Sequence, residues 1–399
     1  MEPLLSPTAP ARFALHPQAR VFAGDIALAP APAPEDRWIG PAPLAQRLAA
    51  VMGAVAQGVP FCLSDTRPAG LHRLGPDRFA TLTGGSAGRP KVVARSQASW
   101  TASFEIAATR FGIGPRDSVA VIGDPVHSLA LYAAVEAMHL GAGFHALGDL
   151  APQAQAARMR AAGTSVLYAT PTQLRVLAAR NTDPLPGLRL ILCGGGTLDA
   201  VTRGAVAAMC PKADMHVFYG AAETSFITLA DAQTPPGSVG RAYPGVEMRL
   251  TGDTIAVRSP YLFDGYLQGE SAHTRWLDGG WLTLGEYGRR DAAGYLYLRG
   301  RAGRMITVAD RSVSLDEITD HLAPLAHPRH LAVMARADGL RGHRIAVAVS
   351  GVADDALAQR LSEACRAEFG VGPQAVRAFD PFPLLPSGKP DLAALERLV

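Results

Sequence analysis

The segment Arg189–Gly196 has the sequence RLILCGGG, an apolar run that ends in three consecutive glycines. Similar apolar runs occupy Ser118–Ile122, Ser165–Ala169 and Met215–Tyr219, and each is followed by a glycine or by a proline within two residues. A helical pattern of apolar residues fills Leu129–Leu140, between the first two of these runs in chain order. Strands that alternate with helices at this spacing predict a mostly parallel α/β sheet. Ligands of such sheets bind beyond the carboxyl ends of the strands, where the glycines lie here.

After about residue 235 the sequence changes to short strand patterns separated by glycine and aspartate, such as Thr254–Arg258 and Met305–Val308. A compact tail with both strand and helix patterns follows, including a helical stripe at Asp355–Phe369. We therefore predict an α/β protein with two domains. The large N-terminal domain, 1–300, contains layered α/β sheets and a β-rich subdomain, and a small α+β domain occupies 301–399.

The composition excludes several classes of protein. The chain has 399 residues, 48% hydrophobic and 18% charged, which is typical of a globular protein and not of a disordered one. A net charge of +3 is too small to indicate a nucleic-acid-binding surface. No apolar run approaches the roughly 18 residues of a membrane span. Met1–Pro34 lacks the pattern of a secretory signal. The cysteines lack metal-binding spacing, so we expect reduced core residues in a cytoplasmic protein. They are Cys62, Cys193, Cys210 and Cys365.

Thr83–Lys91 has the sequence TGGSAGRPK, a loop rich in glycine and hydroxyl groups that ends in a lysine. Its glycines leave backbone N–H groups open to an anion, and the lysine adds positive charge. Such groups bind a polyphosphate, although no serine or threonine follows the lysine as in a P-loop. A flexible surface turn is the alternative. The candidate phosphate contacts are Thr83, Gly84, Gly85, Ser86, Ala87, Gly88 and Lys91.

Other segments also contain residues suited to a ligand. Gly194–Gly196 allow a flat group to approach the backbone, or form a tight turn. Tyr219–Thr224 (YGAAET) combines a ring with a carboxylate that suits Mg²⁺, although Glu223 alternatively lies near a helix cap or on the surface. Lys389 lies ten residues before the C-terminus, where a lysine is ordinarily solvated. Gly141–Ala146 matches a dinucleotide-binding pattern but follows a helix rather than a strand.

Taken in this order, the segments resemble the adenylate-forming superfamily of acyl-CoA synthetases, aryl-acid ligases, non-ribosomal adenylation domains and luciferases. Thr83–Lys91 resembles the family's phosphate loop, and Gly194–Gly196 its adenine loop. Tyr219–Thr224 is similar to its Tyr-Gly-x-Thr-Glu motif. The resemblance covers about residues 80–399. The set of motifs in the family's order is more specific than any single motif. The remaining matches are Pro125–Ala130 with His127, Gly237–Gly240 with Pro244 and Gly245, Gly280–Glu286, Gly294–Arg301 and Pro386–Lys389.

The resemblance implies an acid–thiol ligase that uses ATP, Mg²⁺ and CoA. A carboxylic acid attacks the α-phosphate of ATP, which gives an acyl-adenylate and pyrophosphate, and a thiol then takes the acyl group as the mobile C-terminal domain rotates. The catalytic residues would be Lys389, Glu223 and His127, with Glu223 also the metal ligand and Gly303 the hinge. Besides the phosphate contacts, the nucleotide would meet Gly194, Gly195, Gly196, Tyr219, Gly220, Ala221, Ala222, Glu286 and Arg301.

The sequence departs from the family pattern at several positions. The first motif begins at Thr83, about a hundred residues earlier than is usual, which predicts an abbreviated N-terminal subdomain. Ala222 replaces the family's threonine, and Glu286 replaces its ribose-binding aspartate. The glycine pair that lines the pantetheine tunnel falls at Ala309-Asp310. This last change motivates a carrier protein as an alternative acceptor.

Two alternatives follow from these departures. One is a ligase that loads the phosphopantetheine of an acyl-carrier protein instead of CoA. The other is an adenylate-binding protein without turnover, which the presence of Lys389, Lys91 and Glu223 argues against. The expected partners are therefore a small carboxylic acid and CoA or a carrier protein, with a homodimer as the ordinary oligomeric state. The identity of the acid is not determined by the sequence.

Overall fold

The structure, a computed structural model, describes residues 12–83, 91–181, 183–309, 311–339, 342–385 and 388–398. Within these ranges the chain forms two compact units. The larger unit contains residues 12–83, 91–248 and 257–270, and the smaller unit contains 249–256 and 271–398. The domain boundary near residue 300 stays a prediction.

The strands are short, mostly of three to six residues. Those up to residue 242 are β1 (Arg20–Ala23), β2 (Ile26–Leu28), β3 (Trp38–Ile39), β4 (Phe61–Leu63), β5 (Arg78–Thr83), β6 (Lys91–Ser96), β7 (Ser118–Val121), β8 (Gly143–Ala146), β9 (Val166–Ala169), β10 (Leu190–Gly194), β11 (Asp214–Ala221), β12 (Ser225–Ala230) and β13 (Arg241–Ala242). The later strands are β14 (Glu247–Thr251), β15 (Thr254–Arg258), β16 (Gly265–Gln268), β17 (Arg275–Leu277), β18 (Trp281–Thr283), β19 (Glu286–Arg290), β20 (Leu296–Arg301), β21 (Met305–Val308), β22 (Arg311–Ser314), β23 (Leu331–Asp338), β24 (Gly342–Ser350) and β25 (Ala375–Phe379).

The helices begin and end at residues that favour a terminus. A capping box between Thr170 and Gln173 starts one of them, and Gly141 ends another in the left-handed conformation (φ 81°). No helix in the described ranges is both long and apolar enough to cross a membrane. The helices are α1 (Leu44–Gln57), α2 (Ala98–Phe111), α3 (Ser128–Leu140), α4 (Pro152–Ala161), α5 (Pro171–Arg180), α6 (Ala200–Met209), α7 (Leu315–Ala326), α8 (Asp355–Phe369) and α9 (Leu392–Leu398).

Among the described residues, the larger unit contains a nine-stranded sheet in the order β13-β12-β11-β10-β9-β7-β8-β1-β2. The strands from β11 to β1 in this order are parallel. At the two edges of the sheet, β12 pairs antiparallel with β11, β13 with β12, and β2 with β1. The prediction of a mostly parallel α/β sheet is therefore confirmed. The Gly141–Ala146 segment ends α3 and continues as β8 inside this sheet.

A hydrophobic core covers the central strands of this sheet where α4, α5 and α6 pack. Apolar side chains from both strands and helices are almost completely removed from water there, which is the main stabilising contribution of such a layer. Cys193 and Cys210 belong to this core, and all four cysteines are buried and free of disulfides. The largest apolar members include Leu167, Leu174, Leu177, Ile191 and Met159.

A five-stranded sheet of the same unit has the order β16-β6-β5-β4-β3. β5 and β6 are antiparallel neighbours on either side of the predicted phosphate loop. β16 pairs with β6 although it lies about 170 residues later in the chain. This sheet therefore brings the segment at Gly265–Gln268 beside the strand that follows the phosphate loop.

Among the described residues, two further sheets belong mostly to the smaller unit. One has the order β17-β18-β15-β19-β20 with β14 beside β15, and the other has the order β22-β21-β24-β23 with β25 beside β24. The second sheet carries α7 and α8 on one face, where Ile318 and Leu361 are fully buried. Helix α8 has the bounds that the apolar pattern Asp355–Phe369 predicts.

We predict opposite effects for two alanine substitutions at helical glycines. A Cβ at Gly53 of α1 would lie 1.7 Å from the carbonyl oxygen of Ala31, so Gly53→Ala should lower the free energy of unfolding by about 1–3 kcal/mol. Gly204 of α6 has no atom within 4 Å of such a Cβ, so Gly204→Ala should raise it by about 0.5–1 kcal/mol. Urea unfolding followed by circular dichroism measures both. Equal unfolding midpoints for the two variants would contradict the packing of α1.

Candidate active site

Strands β5 and β6 hold the two ends of the predicted phosphate loop side by side. Their antiparallel register pairs Thr83 with Lys91. Thr83 is buried and Lys91 is partly exposed. These two predicted phosphate contacts therefore lie opposite each other. The remaining contacts predicted in the loop lie outside the described residues: Gly84, Gly85, Ser86, Ala87 and Gly88.

Tyr266 of β16 connects Lys91 with Glu223. The Lys91 ammonium lies 5.3 Å from the centroid of the Tyr266 ring, within the range of a cation–π contact. The Tyr266 hydroxyl donates a hydrogen bond of 2.8 Å to Oε1 of Glu223. The structure thus brings the predicted phosphate-binding lysine and the predicted metal-binding carboxylate onto one tyrosine.

Glu223 lies in the tight turn between β11 and β12. The two strands approach so closely that a Cβ at Gly220 would lie 1.8 Å from the carbonyl oxygen of Ser225. Thr224 closes the turn, since its hydroxyl accepts a hydrogen bond of 3.0 Å from the Ala221 N–H. The Tyr-Gly-x-Thr-Glu-like motif therefore forms a β-hairpin in which glycine is required by backbone contact.

Arg95 of β6 holds this turn in place. Its fully buried side chain donates hydrogen bonds to the carbonyl oxygens of Ala222 and Tyr261 and, at 2.8 Å, to Oγ of Ser225. Burial lowers the pKa of Arg95 to about 10, while the charge of Glu223 opposes that shift. The guanidinium therefore remains charged at neutral pH. Because a buried charge requires compensating partners, Arg95 fixes the turn relative to β6.

The parallel register brings the two predicted adenine-binding segments to one edge of the sheet. β10 ends at Gly194, which pairs with Phe218 of β11, so that Tyr219 follows directly at the same edge. A Cβ at Gly194 would lie 2.1 Å from the Phe218 ring. Gly195 (φ 89°) and Gly196 are exposed. A planar ligand group at this edge would therefore meet the exposed backbone of Gly195 and Gly196 on one strand and Tyr219 on the neighbouring strand.

His127 directly precedes α3, at its N-cap position, and its side chain makes no capping hydrogen bond. A β-bridge pairs it with Leu82, the residue before Thr83. The hydroxyl of the next residue, Ser128, donates a hydrogen bond of 3.2 Å to the Leu82 carbonyl oxygen. The predicted acyl-pocket histidine therefore lies beside the start of the predicted phosphate loop.

The predicted ribose contacts lie in the smaller unit. Glu286 at the start of β19 pairs with Arg301 at the end of β20. Asp316 of α7 accepts hydrogen bonds of 3.1 and 3.2 Å from the Arg301 guanidinium. The glutamate that replaces the family's aspartate thus faces the arginine across one strand pair, and Asp316 orients that arginine.

Lys389 lies in a tight turn of the smaller unit. Leu384 bridges Pro390 across the turn, and the Leu385 N–H donates a hydrogen bond of 2.8 Å to the Lys389 carbonyl oxygen. The residue is exposed, but nearby protein displaces water from its ammonium group and lowers its pKa, and the positive charge of Arg301 lowers it further. The predicted catalytic lysine and the predicted ribose-binding arginine are therefore electrostatically coupled.

The hinge and tunnel positions also belong to the smaller unit. Gly303 lies in the 3₁₀ turn Ala302–Arg304, and its φ is outside the left-handed region, so this conformation does not itself require glycine. Ala309 has a φ of 53°, a conformation that glycine adopts far more readily than alanine. The backbone there has the geometry typical of a glycine although a Cβ is present. Asp310 lies outside the described residues.

The donor set fits a magnesium ion that is bound together with phosphates. No group of three or more His, Cys, Asp or Glu side chains suited to a metal occurs in the part of the chain that the structure describes. Mg²⁺ commonly uses one or two carboxylates together with substrate phosphates and water. Glu223 is buried, and Tyr266 links it to Lys91, the predicted phosphate-binding lysine, so one carboxylate lies near the predicted phosphate site.

Comparison with known proteins agrees with this geometry. Residues 76–267 match the family model described as AMP-binding enzyme. An uncharacterised acyl-CoA ligase of Bacillus subtilis is 29% identical over 324 residues, covering 76% of this chain and 66% of the relative. An indoleacetate–CoA ligase of Aromatoleum aromaticum is 29% identical over 198 residues, covering 45% and 38%. The chain thus spans from about two fifths to two thirds of the length of these curated relatives.

Solved structures share the fold. The o-succinylbenzoate CoA synthetase of Bacillus subtilis, in complex with its acyl-adenylate, superposes with a TM-score of 0.76 at 17% identity, covering 98% of this chain and 96% of that one. The ATP-bound MatB protein of Rhodopseudomonas palustris gives 0.68 at 22% identity, covering 80% and 67%. The family match over residues 76–267 and the acyl-CoA ligase relatives confirm the resemblance to the adenylate-forming superfamily.

Sequence reasoning missed Arg95, Tyr266 and Asp316. Each makes its contact with a residue distant in the chain or in another element, and none lies in a motif that sequence analysis assigned to the site. The available signal was weak: Arg95 is a single basic residue in the otherwise apolar strand segment VVARS. A charge at such a position is rarely buried without partners, which marks it for inspection but does not identify the partners.

We predict that Arg95→Met lowers the free energy of unfolding by about 3 kcal/mol, because one buried and two partly buried acceptors lose their donor. Arg95→Lys should give an intermediate loss, since one ammonium cannot replace the planar guanidinium. Urea unfolding provides the measurement. Arg360→Met, an exposed arginine on α8, serves as the matched control and should stay within about 0.5 kcal/mol of the unmodified protein. A midpoint for Arg95→Met like that of the control would show that the guanidinium does not hold the turn.

Proposed function

We propose that this protein activates a carboxylic acid with ATP and transfers the acyl group to the thiol of CoA. In the first step a carboxylate oxygen bonds to the α-phosphorus of ATP, and pyrophosphate leaves with its electron pair. In the second step the thiolate attacks the acyl carbonyl carbon, and AMP leaves. The observation that carries the proposal is the placement of Lys91 and Glu223 on Tyr266 at the exit of the glycine-rich loop.

The residues of the larger unit would bind the triphosphate, the adenine and the acid. Thr83, Lys91 and the intervening glycine-rich segment would hold the β- and γ-phosphates with hydroxyl, ammonium and backbone N–H donors. Glu223 would hold Mg²⁺, which supplies charge neutralisation at the phosphates. Tyr219 and Gly194–Gly196 would enclose the adenine ring. His127 would border the acyl group, since it lies beside the start of the phosphate loop.

The residues of the smaller unit would bind the ribose and assist the first step. Glu286 would accept hydrogen bonds from the ribose hydroxyls, and Arg301 would donate one while Asp316 orients it. Lys389 would donate to both the substrate carboxylate and the α-phosphate, which reduces the repulsion between two anions as they approach. Its electrostatic coupling to Arg301 supports this role.

CoA is the acceptor that we favour over a carrier protein. The names of the curated relatives, an acyl-CoA ligase and an indoleacetate–CoA ligase, support it. The left-handed backbone at Ala309 supports passage of a pantetheine arm, which CoA and a carrier protein share. Four buried thiols without disulfides support a location in the reducing cytoplasm. A homodimer remains a proposal to be measured by the mass of the protein in solution.

We predict acid-dependent exchange of pyrophosphate into ATP, lost in Lys389→Ala. The loss should be about 10²–10³-fold, as for removal of one preorganised donor. The sequence contains three lysines, Lys91, Lys212 and Lys389. Lys212 is exposed in the chain between α6 and β11, so Lys212→Ala is the matched control and should keep full exchange. The assay should cover aryl, short, medium and hydroxy carboxylic acids.

Exchange that is absent with every acid while ATP still binds would favour the adenylate-binding alternative without turnover. Exchange that survives in Lys389→Ala would remove this lysine from the reaction.

We predict that Gly303→Pro separates the two half-reactions. A proline at the hinge should block the rotation that thiol transfer needs and leave adenylation unchanged. Pyrophosphate exchange reports the first step, and thioester formation reports the second. Offering CoA and, separately, a phosphopantetheinylated carrier protein distinguishes the two acceptors. Equal loss of both half-reactions would contradict the hinge.

A further inference from the structure

Glu136 of α3 is a fully buried carboxyl group that the proposed mechanism does not use. One of its oxygens, Oε2, accepts a hydrogen bond from the Tyr168 hydroxyl. The other oxygen, Oε1, is enclosed by protein and has no hydrogen-bond partner. An unpartnered polar atom in the interior is costly, so it requires an explanation.

The surroundings of Glu136 are aromatic. Tyr132, one helical turn before it, has its hydroxyl engaged with Oγ of Ser103 at 2.8 Å. The Tyr132 ring meets the ring of Phe226 edge to face at 5.1 Å, and Phe226 stacks on Tyr243 at 4.8 Å. These rings would pack well against an apolar side chain at position 136. A carboxyl group there is therefore not explained by the stability of the core.

The location connects Glu136 with the proposed acyl site. Helix α3 begins directly after His127, and Glu136 follows nine residues later, about 14 Å along the helix axis. Tyr168 is the last but one residue of β9, at the edge where Cys193 and Gly194 end the neighbouring strand. The Glu136 carboxyl group thus connects α3, the helix that starts at the predicted acyl site, with β9 at the strand edge that carries the candidate nucleotide site.

We propose that Oε1 of Glu136 binds a hydroxyl or amino group on the acyl part of the substrate, at the closed end of the acyl pocket. The inference rests on the proposed function, and it names the substrate class: acids with a hydrogen-bonding group remote from the reacting carboxylate. Oε1 is enclosed in this conformation, so the proposal requires a neighbouring aromatic side chain to rotate when the acid enters. The bound group then supplies the partner that Oε1 lacks.

The protonation state of Glu136 is compatible with either substituent. Burial raises the pKa of Glu136 to about 8, although the hydroxyls of Tyr168 and Tyr132 oppose this shift. The carboxyl group is therefore mostly neutral at pH 7, and in that form it donates one hydrogen bond and accepts others. A hydroxyl pairs with the neutral acid, and an amine pairs with either form.

A hydrogen bond at Glu136 would give the acyl pocket a stronger selectivity than apolar contacts give. A purely apolar pocket discriminates by only about 10–200-fold for a small difference in side chain, whereas a pocket built around a hydrogen bond rejects an analogue without that group far more strongly. We therefore expect a preference of at least about 100-fold in kcat/KM for an acid that carries the polar group over its methyl analogue. The series should pair 4-hydroxyphenyl and 4-aminophenyl acids with 4-methylphenyl acids, and ω-hydroxy with plain alkanoic acids.

The test compares this preference in three variants. Glu136→Leu, close in volume but apolar, should abolish the preference and improve use of the methyl analogue. Glu136→Gln keeps a hydrogen-bonding group and should retain part of the preference, and it serves if the leucine variant does not fold. Glu363→Gln, an exposed carboxyl group on α8, is the matched control and should behave like the unmodified protein. Pyrophosphate exchange gives kcat and KM for each acid.

A second readout does not depend on turnover. Calorimetric titration of the same acids, in the presence of a non-hydrolysable ATP analogue, measures the polar preference as a ratio of dissociation constants. If no acid supports exchange but the polar acids bind more tightly and lose this advantage in Glu136→Leu, the proposed function fails and the role of Glu136 stands. If exchange occurs but the preference is absent, or is equal in Glu136→Leu, Glu136 bonds only to Tyr168 and an internal water, and the inference is overturned. Failure of every acid to bind overturns both.

Discussion

The buried guanidinium of Arg95 is the interaction on which the candidate active site depends. Its three acceptors come from Ala222, Ser225 and Tyr261, which follow it by 127, 130 and 166 residues in the chain. A charge without water is tolerated only where such partners surround it. Once β6 is fixed in its sheet, this requirement fixes the turn that carries Glu223 as well as the chain that leads into β16.

The remaining geometry of the larger unit follows from that constraint. β16 pairs with β6, so the Tyr266 ring lies near Lys91 while its hydroxyl reaches Glu223. The Glu223 carboxylate, whose negative charge acts on Arg95, is thus also the group that we assign to magnesium. Arg95 and Glu136 are both buried charge-bearing groups: Arg95 donates to three acceptors through its two terminal nitrogens, and Glu136 accepts from Tyr168 through Oε2, while Nε of Arg95 and Oε1 of Glu136 have no partner.

The smaller unit uses a carboxylate for a comparable purpose. Burial opposes ionisation of Asp316, but hydrogen bonds and charge from Arg301 and Arg304 outweigh it and hold its pKa below the ordinary value. The ionised Asp316 orients Arg301 next to Glu286. The positive charge of Arg301 also lowers the pKa of Lys389. Arg301 and Lys389 thus interact electrostatically although they are far apart in the sequence.

The sequence by itself determined the parallel α/β sheet, the order of the motifs and most of the candidate site. These features depend on local patterns: apolar runs such as RLILC, glycines at Gly194–Gly196, and helical periodicity as at Asp355–Phe369. Only the tertiary structure decided which side chains meet: Tyr266 with Lys91 and Glu223, Arg95 with the Glu223 turn, and Tyr168 with Glu136. It also placed α1 and strands β1–β4 in the first 63 residues, where the sequence analysis assigned no elements. The physical reason is that local patterns record the conformation and burial of a segment, while hydrogen bonds across more than a hundred residues depend on how the sheets pack.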